Sequence, residues 1–90
     1  MHNNHGIISL IDSEGKKVDV FAVISSVSAD EITRAEQLGF KSKFKLVMRN
    51  SEYGGQFYVE LNGVQYSVYR TYDNGRDNIE LYVEDKLGVF

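Results

Sequence analysis

The 90-residue chain contains no cysteine. That excludes disulfides and thiolate zinc sites, and it fits a protein made in a reducing cytoplasm. There is no excess of positive charge either, the net charge being -3 and the pI near 5.3. A chain so balanced exerts no overall pull on nucleic acid or on an anionic membrane. Long hydrophobic runs are missing as well. The longest apolar stretches, such as residues 21–24, fall far short of the roughly 20 residues that a membrane-spanning helix requires. Residues 1–6 are polar and carry no signal-peptide pattern, so the chain reads as soluble, not exported by that route, and opening on a disordered tail.

Chemistry-bearing clusters are equally scarce. His2 and His5 are the only histidines, and they sit in that polar tail beside Asn3 and Asn4 with no carboxylate at ligand spacing. A terminal tail accounts for them better than a metal site does. Catalysis needs a nucleophile with a base, or two carboxylates of separated acidity, and no recognised signature supplies either. Asp73, Asn74, Gly75, Asp77 and Glu80 hint at a calcium loop, but the twelve-residue spacing is absent and a hairpin turn explains them. The expectation is a protein with no enzyme activity, no cofactor and no metal.

What the chain does hold is β-branched and aromatic residues. Valine and isoleucine total 16, tyrosine and phenylalanine 11, and these side chains suit pleated, half-buried surfaces. Ninety residues make one domain, residues 1–90. A domain of this size buries only about two-thirds of its extended surface, so it commonly needs a staple or a partner. Without cysteine, oligomerisation is the remaining route to extra stability.

The periodicities divide the chain into six strands and one helix. Residues 7–11 form a short apolar stretch closed by Asp12, Ser13, Glu14 and Gly15, and residues 18–27 resume with β-branched side chains. Ser28 followed by Glu31 makes a capping box, with the Ser28 hydroxyl taking a helical amide and the Glu31 carboxylate reaching back. Ile32, Ala35 and Leu38 follow at helical spacing and Gly39 stops the run, giving a helix of about ten residues. So short a helix must lie against a sheet or another chain. From Lys43 the period becomes two, with Phe44, Leu46 and Met48 on one face and Lys43, Lys45 and Arg49 on the other.

Phe57, Val59 and Leu61 alternate in the next strand up to Asn62 and Gly63, a pair suited to a type I′ turn. Val64, Tyr66 and Val68 return, Asp73, Asn74 and Gly75 turn again, and Ile79, Leu81 and Val83 close the series. The fold class expected is all-β: a small antiparallel β-barrel or sandwich of about six strands, with one short helix inserted after the second strand.

Several groups of residues are candidate contacts. All six tyrosines lie between Tyr53 and Tyr82, and Tyr58, Tyr69 and Tyr82 are out of phase with the apolar positions of their strands. Such a row is either an outward contact surface or a second packed face. Lys41, Lys43, Lys45 and Arg49 form a basic stripe that reads foremost as a solvated strand face. Asp30, Glu31 and Glu36 lie around the helix, where capping already explains the first two.

From about residue 20 to residue 88 the chain resembles the head-closure, or head-tail joining, proteins of siphophages and prophages. The matching pieces are Phe21-Ala22, Ser25-Ser26-Val27, Glu31, Ala35, Leu38-Gly39-Phe40-Lys41 and Met48-Arg49. They continue with Glu52-Tyr53-Gly54-Gly55, Leu61-Asn62-Gly63, the run from Tyr66 through Ser67, Val68, Tyr69, Arg70, Thr71 and Tyr72 to Asp73, and Ile79-Glu80-Leu81-Tyr82.

The resemblance implies a small barrel with an inserted helix. It further implies a virion protein of the phage neck, made in the host bacterial cytoplasm, that forms a ring with copies of itself, dodecameric by family resemblance. That ring would lie below the portal and adaptor proteins, close the DNA channel after packaging and dock the tail proteins. Genomic DNA would pass without specific binding and no membrane would be involved. Asp30, Arg34, Phe40, Lys41, Glu52, Tyr53, Tyr58, Tyr69 and Tyr82 are the expected assembly contacts. Two other readings remain open, a tail-completion or tail-terminator protein and a cytoplasmic barrel that binds peptide or single strands on its tyrosines.

Overall fold

A computed structural model describes residues 4–85. The strands are β1 (Asn4–Ile11), β2 (Lys17–Ser25), β3 (Ser42–Arg49), β4 (Tyr58–Leu61), β5 (Val64–Asp73) and β6 (Asn78–Glu84), with helix α1 (Ala29–Gln37) between β2 and β3. They close into one barrel in the order β1-β2-β3-β6-β5-β4. Every neighbouring pair is antiparallel, including β4 back onto β1. The expected all-β fold with one helix after the second strand is therefore the fold of this chain.

Alternation places the core. Ile8 and Leu10, Val20 and Ala22, Leu46 and Met48, Val59, and Ile79, Leu81 and Val83 point inward from five strands and form one buried cluster. From β5, Tyr66 and Val68 pack against that cluster, and so do Ile24, Phe44, Tyr53 and Leu61. Period-two patterning suffices here because each strand turns one face toward the interior, although β6 also buries Tyr82 on its outer face.

The turns follow their residues. Asn62 and Gly63 both take positive φ, 53° and 80°, as a type I′ hairpin demands. The β5–β6 connection is wider. Asp73 Oδ1 accepts from the Gly75 amide at 2.9 Å and from Asn50 Nδ2 at 3.1 Å, and Asn74 Oδ1 accepts from the Arg76 amide at 2.8 Å. These bonds hold the Asp73 carboxyl below its ordinary value, the Gly75 amide contributing most.

Three expectations need correction. Residues 4–6, read as part of a disordered tail, are strand, with Asn4, His5 and Gly6 paired to Ile24, Val23 and Ala22. Ladder hydrogen bonds come from the backbone, so a long β2 can recruit a polar partner. Residues 1–3 of that tail and His2, like the side chain of His5, lie outside the described residues.

The capping box is half formed. Ser28 Oγ accepts from the Glu31 amide at 3.1 Å, but the Glu31 carboxylate leaves the helix end for β5. The buried face of α1 also differs from the expected one. It consists of Glu31 and Ala35, whereas Ile32 and Leu38 are exposed. The helix ends as expected at Gly39 (φ 91°), where the Gly39 amide donates to the Glu36 carbonyl and the Phe40 amide to that of Ala35. This is the Schellman pattern.

Candidate functional site

The densest group of functional side chains lies where Glu31 of α1 reaches Tyr69 and Arg70 of β5, beside Tyr82 of β6. It begins with a defect in the sheet. β5 and β6 pair Val68 with Val83 and then Arg70 with Tyr82, so Tyr69 is an extra residue and the strand bulges. In a regular strand Tyr69 and Arg70 would point to opposite faces. The bulge re-aims them to one side.

Both converge on Glu31 of the helix. Tyr69 Oη donates to Glu31 Oε2 at 2.7 Å, and Arg70 Nη2 donates to Oε1 at 2.6 Å, with Nε 3.5 Å from Oε2. Glu31 is only 6% exposed and is the one buried charged residue among the described residues. Burial alone pushes its carboxyl up. The hydrogen bonds from Arg70 and Tyr69, with the positive charges of Arg70 and Arg34, outweigh that and hold it below the usual carboxylate value. The same hydrogen bond raises the pKa of Arg70.

Aromatic rings complete the contact. The Arg70 guanidinium lies 4.2 Å from the centroid of Tyr82, a cation–π arrangement. Phe40, just past the helix, stacks on Tyr69 at 5.0 Å and 17°, and Tyr69 tilts against Tyr82 at 6.4 Å. Tyr82 Oη donates to Glu80 Oε1 at 2.6 Å. Burial first, then the neighbouring carboxylate, push the Tyr82 hydroxyl up to about 12. The Tyr69 hydroxyl reaches about 12 through burial and Glu31. Ser42 Oγ is buried without a hydrogen-bond partner among the described residues.

The nine residues expected to form contacts thus fall into separate places. Phe40, Tyr69 and Tyr82 meet in this clamp, and at 9% exposure Tyr82 belongs to a second packed face. Asp30 and Arg34 are exposed on α1. Lys41 is exposed, with its amide 3.4 Å from Glu84 Oε1. Glu52 lines an outer groove with Phe21, Val23, Val47, Arg49 and Asn78. Tyr53 packs on the core and donates its hydroxyl to the Gln56 carbonyl at 2.6 Å, and burial raises its pKa. Tyr58 is half-buried on β4, in register with Ile11 and Ser67.

The basic stripe is partly neutralised. Lys45 lies 3.7 Å from Glu80 and Lys43 3.9 Å from Asp85. Among the described residues no three histidine, cysteine or acidic side chains gather in a way that would hold a metal ion. Nor is any described helix long and apolar enough to cross a membrane.

Sequence reasoning quoted Arg70 in the resemblance but gave it no place among the contacts, and it placed Glu31 at the helix cap. The available signal was Glu31 at i to Ala35 at i+4, one helical face with a charge on it. Nothing in the alternation of β5 announces the bulge. Compared with known proteins, the chain matches no family model, no curated protein and no solved structure.

Proposed function

We propose that this chain is a structural subunit of a tailed-phage neck, a head-closure protein that forms a ring below the portal and adaptor and offers the tail a docking surface. One observation carries the reading: pieces of the head-closure resemblance that lie far apart in sequence converge in space. Glu31, Ala35, Phe40, Tyr69, Arg70 and Tyr82 all belong to the resembling segments, and all lie in the contact between helix and barrel. A chance likeness of short strings has no reason to select residues that touch. The barrel with its helix after β2 also agrees with the fold that the resemblance implied.

The tyrosine-platform reading loses support on the same ground. Tyr66 packs on the core, and Tyr69 and Tyr82 are engaged under the helix, which leaves Tyr72, 55% exposed, as the one largely exposed tyrosine and too little for a platform of stacked bases.

Electron microscopy of virions with the chain labelled or deleted tests the proposal. Label at the neck, with deletion giving tailless heads that leak DNA, is the expected result. Label on the tail, or intact tailed particles without the chain, would overturn it.

A further inference from the structure

Asparagine followed by glycine occurs twice in the chain, both times in a hairpin turn: Asn62-Gly63 between β4 and β5, and Asn74-Gly75 between β5 and β6. Such a pair carries a latent reaction. The glycine amide nitrogen can attack the side-chain carbonyl carbon of the asparagine, because no Cβ on the glycine stands in the way. The two turns set the reacting atoms differently.

At Asn62 the backbone holds them apart. Its φ of 53° is left-handed, a conformation in which ψ is about +47°. On an L-residue that ψ turns the next amide nitrogen trans to Cβ, so Gly63 N and Asn62 Cγ lie on opposite sides of the Cα–C bond. Ring closure would require Asn62 to leave the left-handed region, which undoes the Leu61–Val64 pair that closes the hairpin.

Asn74 keeps a negative φ. Its Oδ1 accepts from the Arg76 amide at 2.8 Å, which folds the side chain over the Gly75 peptide unit between them. The Gly75 amide in turn donates to Asp73 Oδ1 at 2.9 Å, and Asn50 Nδ2, 3.1 Å from the same oxygen, holds that carboxylate in place. The carbonyl to be attacked is thus polarised by an N–H, and the proton of the attacking nitrogen already points at a carboxylate. Residues 73–76 are exposed, so water enters the turn and a small leaving group escapes.

We infer that Asn74 is a site of spontaneous self-modification, converted to aspartate and isoaspartate with help from Asp73, while Asn62 is protected by its turn. The Gly75 nitrogen gives its proton to the Asp73 carboxylate and bonds to Asn74 Cγ. The Cγ–Nδ2 bond breaks, and Nδ2 departs as ammonia with that proton. Water then opens the cyclic imide at either carbonyl, giving aspartate or isoaspartate. Nothing is oxidised or reduced, and water is the sole co-reactant. Both products set a new carboxylate beside Asp73, and isoaspartate also lengthens the backbone of the turn by a methylene. The β5–β6 hairpin is therefore the part of the barrel that changes as the protein ages.

The test incubates the full chain at mildly alkaline pH, folded in buffer and unfolded in guanidinium, and follows both asparagines in the same molecules by peptide mapping with mass spectrometry. Unfolded, the two should convert at similar rates, since each precedes a glycine. Folded, Asn74 should outpace Asn62 by about tenfold or more, because only its turn brings the reacting groups together. Asp73→Asn keeps an acceptor for the Gly75 amide but loses the charge, and it should slow conversion of Asn74 about tenfold. Asn62 reacting as fast as Asn74 in the folded protein would overturn the inference. So would an Asp73→Asn chain in which Asn74 converts at the unaltered rate.

Discussion

The barrel interior and the seat of α1 are held by opposite kinds of chemistry. Inside, ten apolar side chains form one cluster without a charged member. Under the helix, a buried carboxylate, a guanidinium and three aromatic rings do the joining, and the only apolar residue that α1 itself buries is Ala35. Apolar burial is non-directional and tolerates small shifts. A buried ion pair holds only in one geometry, and losing one partner leaves the other uncompensated. The barrel therefore fixes the fold, and the clamp fixes one orientation of the helix upon it.

Removing bulk from the interior should have the largest effect. Leu81→Ala empties a fully buried position and should cost about 4 kcal/mol in denaturant unfolding. Strand and helix signals should fall together, because α1 has nothing to sit on without the barrel. Glu31→Ala should cost about 2 kcal/mol by removing the acceptor of the Arg70 and Tyr69 hydrogen bonds, Arg70 being one-third exposed and so still partly hydrated. Here circular dichroism should keep its strand signal while the helical part weakens, a pattern that Leu81→Ala should not give.

Alkaline pH acts on the same contact. The raised hydroxyls of Tyr69 and Tyr82 contribute stability that is fully present below about 10 and is lost as pH rises through about 12. Melting temperature followed against pH should fall across that window, and less steeply in a Tyr69→Phe chain, which has one such group fewer. Glu31 works at the acid end. Its depressed carboxyl contributes stability that is present above the ordinary value of 4.5 and is lost as pH falls through the lower folded value.

At neutral pH, Tyr69→Phe should cost about 1.5 kcal/mol, the hydrogen bond to a charged acceptor, while leaving the stack with Phe40 in place. Smallest of all should be Lys17→Met. Its ion pair with Glu60 is short, 2.7 Å, but the lysine is mostly in water, and the change in unfolding free energy should stay within about 0.5 kcal/mol.

The same division governs how much of the molecule is legible in its sequence. The interior announces itself, since Leu46 and Met48, or Ile79, Leu81 and Val83, alternate with polar neighbours and are buried as the alternation says. Asn62-Gly63 likewise names its turn. The seat of the helix is far less visible. Ser28 and Gly39 mark its ends, but the hydrophobic periodicity of Ile32, Ala35 and Leu38 points to a face that is mostly in water, Leu38 being 65% exposed.

The true contact face carries a glutamate, which binary patterning counts as outward. Its partners depend on an extra residue in β5, and a bulge is a property of two paired strands that neither strand displays alone. The contact of Arg70 with Glu31 was invisible for that reason, and the tyrosines out of phase with their strands were the nearest available clue.

The relation between the two regions is tested most directly by native-state hydrogen exchange on the Glu31→Gln chain, which keeps the shape of the side chain and removes its charge. Helix amides from Ile32 to Gln37 should lose most of their protection, while those of Leu46, Leu81 and Val83 retain theirs relative to the unaltered chain. Equal loss in helix and barrel, or a helix as protected as before, would contradict the view that one buried ion pair seats α1 on an independently stable barrel.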